Sequence, residues 1–473
     1  MTKPRLQRVA LLCVTACLSA CTVLTPKYER PPAPVAPSFT GEAAASTQKA
    51  ARDIEWQSFF VDERLKRLIA IALANNRDLR VSTLNVEQAR ATYGVRRADL
   101  WPSIGLGATA IRQPATATQP SRLYTVGLQV SSYEVDLFGR VHSLSEAAFS
   151  QYLATDEGRK AAQISLVAGV ANAYFALQAD NALLDLTRST LDTRQESLKL
   201  AKLKFDNGAA SELDFRQSEA LLEGANVALA QTTRQRAVDE NLLVLLLGQS
   251  LPDDLPAGLA ITDQRLATDL PTGLPSEVLT LRPDVRQAEQ QLIASNANIG
   301  AARAAFFPRI SLTASVGTAS TELSGLFKSG SSAWTFAPQI VLPIFDAGRN
   351  QANLDIAKVN HDIAIAQYEK AIQSAFREVQ DALAGRATLG EQVRAQLALT
   401  HAEEVRFNLS DLRYRNGASS YLDVLDAQRS LFADQQASVQ VQLAQVQSQV
   451  ALYKALGGGW TEPPQGSNPP AAK

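Results

Sequence analysis

Ile104-Gly105-Leu106-Gly107-Ala108-Thr109-Ala110 and, 206 residues later, Ile310-Ser311-Leu312-Thr313-Ala314-Ser315-Val316 are the stretches on which the fold turns. In each, an apolar residue alternates with glycine or a polar residue, the period of a β-strand with one apolar and one wet face. Tyr124, Val126, Leu128 and Val130 repeat the alternation in the first half, and Trp334, Phe336, Ile340, Leu342 and Ile344 in the second. Each half therefore holds two strands, and the polar stretches 113–121 and 318–332 are expected as their connecting loops.

These stretches belong to a longer duplication. Asp78, Gly94 and Pro102 recur as Asp284, Gly300 and Pro308 at the same interval of 206, whereas Gly139-Arg140, Asn207-Gly208 and Gly248 recur as Gly348-Arg349, Asn416-Gly417 and Gly457 at 209. The increment falls between Ile104 and Gly139, where a surface loop can absorb a length change that packed elements cannot. Each copy reads as helix, two strands, long helix, turn, helix. The first repeat spans 62–248 and the second 276–457, with an equatorial linker rich in Pro, Asp and Gly at 249–275 and a tail at 458–473.

The alternation fits a half-buried soluble sheet or membrane strands with lipid outside and water inside; four strands of the second kind cannot close on themselves, because bacterial membrane barrels begin at about eight. Open edges in hydrocarbon would leave backbone groups unpaired. Several chains must share a barrel, and three would supply about twelve strands. The helices set the other dimension. Residues 139–207 and 348–416 contain no proline and are rich in Ala, Leu, Gln, Glu and Arg, so each predicts a helix on the order of 100 Å long. Leu177, Leu184, Leu191, Leu198 and Phe205 fall on every seventh position, a coiled-coil seam. Shorter helices near 62–100 and 211–247, stacked end to end, match the long one. The expected fold is mainly α with membrane β: a trimeric twelve-strand barrel continued by a twelve-helix α-barrel.

The amino terminus says where such an object resides. Lys3, Arg5 and Arg8 precede an apolar run over 9–20 that ends in Leu18-Ser19-Ala20-Cys21. The run is too short to span a bilayer and reads as a signal peptide, 1–20. Its small residues before a cysteine resemble the lipobox of bacterial lipoproteins, which makes Cys21 the acylated new terminus. Cys13 and Cys17 would be removed, so neither a disulfide framework nor a cysteine metal site is expected. Thr22 stands where an aspartate would favour inner-membrane retention, which points to the outer membrane. Residues 21–61 form the acylated tether and equatorial segment, proline-rich from Pro26 to Pro37.

Other classes find little support. Basic and acidic residues number 46 and 47, so no global attraction to nucleic acid is implied. The histidines, His142, His361 and His401, lack zinc-ligand spacing, and no phosphate loop or nucleophile elbow occurs. No enzyme activity and no metal or other cofactor beyond the covalent lipid on Cys21 is expected.

Tyr133-Glu134-Val135-Asp136-Leu137-Phe138-Gly139-Arg140, Leu281-Arg282-Pro283-Asp284-Val285, Phe307-Pro308 and Tyr414-Arg415-Asn416-Gly417 carry a family resemblance. So do Tyr421-Leu422-Asp423-Val424-Leu425-Asp426-Ala427-Gln428-Arg429 and the ending Tyr453-Lys454-Ala455-Leu456-Gly457-Gly458-Gly459-Trp460. Over nearly the whole mature chain the sequence resembles the TolC-type outer-membrane factors, most closely their OprM/NodT lipoprotein branch. The resemblance implies a homotrimer with a periplasmic α-barrel and an equatorial belt. It also implies a periplasmic adaptor and an inner-membrane transporter of the resistance-nodulation-division class as partners. The expected function is the passive exit duct of a tripartite efflux pump, for drugs or other small toxic compounds. A type I protein secretion duct and a structural envelope lipoprotein without a pore are the alternatives.

Particular residues follow. Gly139 and Gly348 mark the passage from strand to helix, where glycine relieves the backbone. Asn207-Gly208 and Asn416-Gly417 are turn signals after long helices, and the family places adaptor docking at these tips. Leu422 and Asp426 lie four apart on one helical face. Threefold symmetry would turn them into an apolar and an anionic ring, with Asp423 beside them, and the matching residues of OprM-like proteins form the periplasmic aperture. Arg429, one turn on, is the candidate to hold the closed state by pairing between chains. In the first copy Leu213 and Asp214 are present but Gln217 stands opposite Asp426, so the second copy is the better gate.

Overall fold

Strand pairing follows chain order in an antiparallel meander, β1 (Ile104–Pro114), β2 (Pro120–Val135), β3 (Arg309–Ser320) and β4 (Ser332–Val341). The structure is a computed structural model that describes residues 23–36, 39, 54–114, 120–264, 266 and 280–460. Cys21, the signal peptide and most of the tail lie outside the described residues. The register gathers the alternating residues on one face: Leu106 opposes Leu128, Leu128 opposes Val316, and Val316 opposes Trp334. A one-residue bulge between Val130 and Tyr133, with Ser132 at φ 55°, restores the parity, so that Tyr133 opposes Leu312 on the same face.

The first hairpin departs from expectation. Its ladder continues through Gln113↔Ser121 to Pro114↔Pro120, within the stretch read as loop. Backbone pairing propagates along a hairpin without needing apolar side chains, so hydropathy ends before the strands do. In the second hairpin Leu323–Gly325 forms a turn of 3-10 helix, and Leu326 is buried beside it.

The helices run α1 (Trp56–Phe59), α2 (Glu63–Asn75), α3 (Arg77–Ala98), α4 (Arg140–Asp206), α5 (Glu212–Leu247), α6 (Pro283–Ala304), α7 (Arg349–Arg415) and α8 (Tyr421–Ala455). Helices α4 and α7 each hold 67 residues, about 100 Å at 1.5 Å per residue. None of the described helices is long and apolar enough to cross a membrane.

Two compact units divide the chain. One contains Thr83–Gly158, Asp284–Ala371 and the described residues before Pro34. It holds the sheet, and along its α6 runs an extended amino-terminal strap. Arg30 grips Glu289 with two bonds of 2.6 and 2.9 Å, and Tyr28 donates to the same carboxylate at 3.0 Å. Further along, Asn296 donates to the carbonyl of Pro26 at 2.7 Å, and Thr25 meets Ser143 at 2.9 Å.

The other unit contains Pro34–Ser82, Arg159–Pro283 and the chain from Ile372. Its aromatic core stacks Tyr453 on Phe59 at 4.0 Å, with Phe60 edge-on, and the Tyr453 hydroxyl donates to the carbonyl of Ile54 at 2.6 Å. Asp62 caps α2 and binds the linker at once, accepting from Tyr174, Leu259 N–H and Gln264 at 2.7–3.0 Å. Burial alone would raise its pKa, but the hydrogen bonds of Gln264, Leu259, Tyr174 and Arg64 outweigh it and hold the carboxyl below its usual value.

Side chains close the ends of the return helices in this unit. Asn76, between α2 and α3, donates to the carbonyl of Leu246 at 2.9 Å, capping α5 from the next helix. In the second copy Arg282, at the head of α6, donates to the carbonyl of Ala455 at 2.8 Å and pairs with Glu378. In each case a side chain satisfies carbonyls orphaned at a helix end.

Candidate functional site

The turn ends of the two long hairpins carry most of the residues singled out by sequence. Gly208 and Gly417 have φ of 72° and 71° with open space where a Cβ would stand. The left-handed conformation alone requires them. It lets Ala209 N–H reach the carbonyl of Lys204 and Ala418 N–H that of Arg413, both at 2.8 Å, closing each long helix in a Schellman turn. Asn207 and Asn416 donate from their side chains to the carbonyls of Leu203 and Leu412 at 2.7 and 2.8 Å.

Both return helices open on a serine and an aspartate. Ser211 N–H donates to Asp214 at 3.2 Å, and Ser420 N–H donates to Asp423 at 3.2 Å. Asp423 therefore has a local capping task. Leu422 is 58 % exposed. Asp426 is exposed and accepts from Arg406 of α7 at 2.6 Å; within the chain its partner is this arginine, not Arg429. Arg406 also faces Glu403, so one cation serves two carboxylates.

Ties between the first and second hairpins were not legible as contacts. Lys204 donates to the Tyr414 hydroxyl at 2.8 Å and lies 4.3 Å from the ring centre. Ser218 donates to the Tyr421 hydroxyl at 2.9 Å, and Tyr414 and Tyr421 sit 5.0 Å apart. Burial pushes the Tyr421 hydroxyl pKa up. Beside these ties lies a cavity of about 530 Å³ lined by Lys204, Asp411, Tyr414, Tyr421 and Gln428. No sequence signal singles them out, since the two copies differ at most positions around these turns. Phe205 stands opposite Tyr414, Glu212 opposite Tyr421 and Ala427 opposite Ser218 in the 209-residue register.

At the far ends of the long helices, Gly139 and Gly348 have φ of 74° and 83°. They differ in surroundings. A Cβ on Gly139 would lie 3.0 Å from the Val23 backbone, whereas none of the described residues beyond its chain neighbours comes within 4 Å of one on Gly348. Asp136 receives the N–H groups of Arg140 and His142, both at 2.7 Å, to cap α4. Arg140 and Arg309 converge on Glu134. Among the described residues no cluster of His, Cys, Asp and Glu is arranged to hold a metal ion.

Comparison with known proteins places this geometry. Residues 68–249 and 274–458 match the family described as outer membrane efflux protein. A toluene efflux pump outer membrane protein of Pseudomonas putida, TtgC, is 48 % identical over 462 residues, 95 % of each chain. Outer membrane protein OprJ of Pseudomonas aeruginosa is 46 % identical over 473 residues, 98 % of each chain. Among solved structures, the open state of the Neisseria gonorrhoeae MtrE outer membrane channel has a TM-score of 0.85 at 43 % identity, covering 93 % of this chain and 98 % of that one.

Proposed function

Since the chain belongs to the outer membrane efflux protein family and is an outer-membrane efflux channel, we propose that three copies of it close one barrel and form the exit duct of a tripartite pump. The sheet carries this reading. Its outer strands β1 and β4 each have one edge without a partner among the described residues, and its apolar face is open, with Leu106 and Trp334 each more than three-quarters exposed. A bare apolar face suits lipid, but unpaired edges are untenable there unless another copy completes the ladder. Three copies supply about twelve strands, enough to enclose an aqueous lumen.

The remaining assignments follow from this one. A periplasmic adaptor meets the tips at Asn207-Gly208 and Asn416-Gly417, and an inner-membrane transporter of the resistance-nodulation-division class loads the duct with drugs or other small toxic compounds. Leu422, Asp423 and Asp426 form the resting constriction. Arg406 holds Asp426 within each chain, leaving Arg429 for pairing between chains. Acyl chains on Cys21 add an anchor. The strap supports that placement, since it brings Val23 against Gly139 at the strand-to-helix passage, only two residues from Cys21.

Native mass spectrometry in detergent tests the assembly, with a mass of three acylated chains expected and a stable monomer contradicting it. Single-channel recording tests the duct. The wild type is expected to conduct weakly at rest, and Leu422→Ala with Asp426→Ala to conduct more at unchanged trimer yield. Unchanged conductance in an assembled double mutant would place the constriction elsewhere.

A further inference from the structure

Arg194 of α4 is a buried charge without a carboxylate partner among the described residues. Its side chain is 5 % exposed. The guanidinium lies over the Phe432 ring of α8 at 4.9 Å, and Nη1 donates to the carbonyl of Leu221 on α5 at 2.8 Å. Its Nε is buried and has no hydrogen-bond partner. The charge that acts on it is Arg429 of α8, which has the same sign. Burial, and after it Arg429, holds the guanidinium pKa below its ordinary value. An arginine does not shed its proton in a protein, and an unpaired buried charge is costly, so this cation needs compensation from outside the chain.

Space for it exists. A cavity of about 150 Å³ is lined by Thr190, Arg194, Phe407, Gln428 and Phe432, drawn from α4, α7 and α8. Two of the lining hydroxyls, those of Thr190 and Thr193, already donate to the carbonyls of Leu186 and Ser189 on their own helix. The Gln428 carbonyl oxygen is buried without a partner. Reversing that amide would turn its NH₂ to the same position, a change that suits a negative occupant. A water molecule could satisfy Nε, but it would leave two like charges facing each other.

We propose that this cavity is a binding site for a small inorganic anion, held by Arg194 Nε and the Gln428 amide with Arg429 adding charge, and that the anion ties α4 of the first copy to α8 of the second. Bromide is the probe. Crystals of the full trimer grown in sodium bromide are expected to show an anomalous peak beside Arg194 Nε. Solvent density there without an anomalous signal would overturn the proposal. In solution, the apparent Tm of the detergent-solubilised trimer is expected to be higher in sodium chloride than in sodium gluconate at equal ionic strength. The difference should vanish in Arg194→Met, which keeps an apolar stem without the charge. Arg429→Gln, which also removes the pairing between chains proposed above, should raise the half-effective chloride concentration several-fold. Equal wild-type Tm in the two salts, or an Arg429→Gln protein with an unshifted chloride response, would refute the site.

Discussion

Asp180 and Asp239 form a carboxyl pair between α4 and α5, and replacing the first should change how stability depends on pH. Asp180 is 6 % exposed and its Oδ2 lacks a hydrogen-bond partner. Burial first, then the hydrogen bond and charge of Asp239, push its pKa up to about 7, while Arg236 pulls the other way. That arginine is already engaged with Asn181 and Glu240 at 2.8 Å each. Because the native pKa exceeds the unfolded one of 3.8, the folded protein binds the extra proton between about pH 4 and 7. Stability from this group is present at low pH and is lost as pH rises through 7. At 1.36 kcal/mol per unit the full shift would be about 4 kcal/mol, and sharing of the proton with Asp239 reduces it to about 2 kcal/mol. Asp180→Asn should therefore stabilise the protein by about 2 kcal/mol at pH 8 and little at pH 4. The entropy of unfolding scales with chain length, so about 2 °C in Tm is expected for a chain of this size. Melting curves of the trimer from pH 4 to 8.5 read the effect. Parallel wild-type and Asp180→Asn profiles would show that the pair does not titrate in this window.

Other perturbations address the packing. Gly139→Ala and Gly348→Ala both strain a left-handed residue by about 1 kcal/mol, but only the first displaces Val23, so its melting temperature should fall further; equal losses would mean the strap yields freely. Glu289→Gln removes the charge that Arg30 and Tyr28 share, costing about 2 kcal/mol, and trypsin should then cleave faster after Lys27. An unchanged cleavage rate would show that other contacts hold the strap. Tyr453→Phe should cost about 1 kcal/mol through the lost bond to Ile54, and Tyr453→Ala about 3–5 kcal/mol by opening the stack on Phe59; denaturation midpoints that rank the two alike would contradict the aromatic core.

Periodicity and repetition were enough, without coordinates, to define the strands around Ile104 and Ile310, the two long helices and the turns at Gly208 and Gly417. These features are local: alternation, absence of proline and a glycine after a helix act through neighbours a few residues away. The duplication did not single out Tyr414, Tyr421 and Ser218, because the two copies differ at most positions around these turns. What only the tertiary structure decided is the set of partners brought together from distant sequence. Arg30 finds Glu289, Asp62 finds Tyr174 and Gln264, Asp426 takes Arg406, and Arg194 is left with Phe432 and no carboxylate among the described residues. Even the first hairpin outran its hydropathy, because backbone hydrogen bonds carry no record in side-chain pattern. A charged residue in a sequence states its own sign but not its neighbour's, and that pairing is settled only when helices separated by hundreds of residues pack side by side.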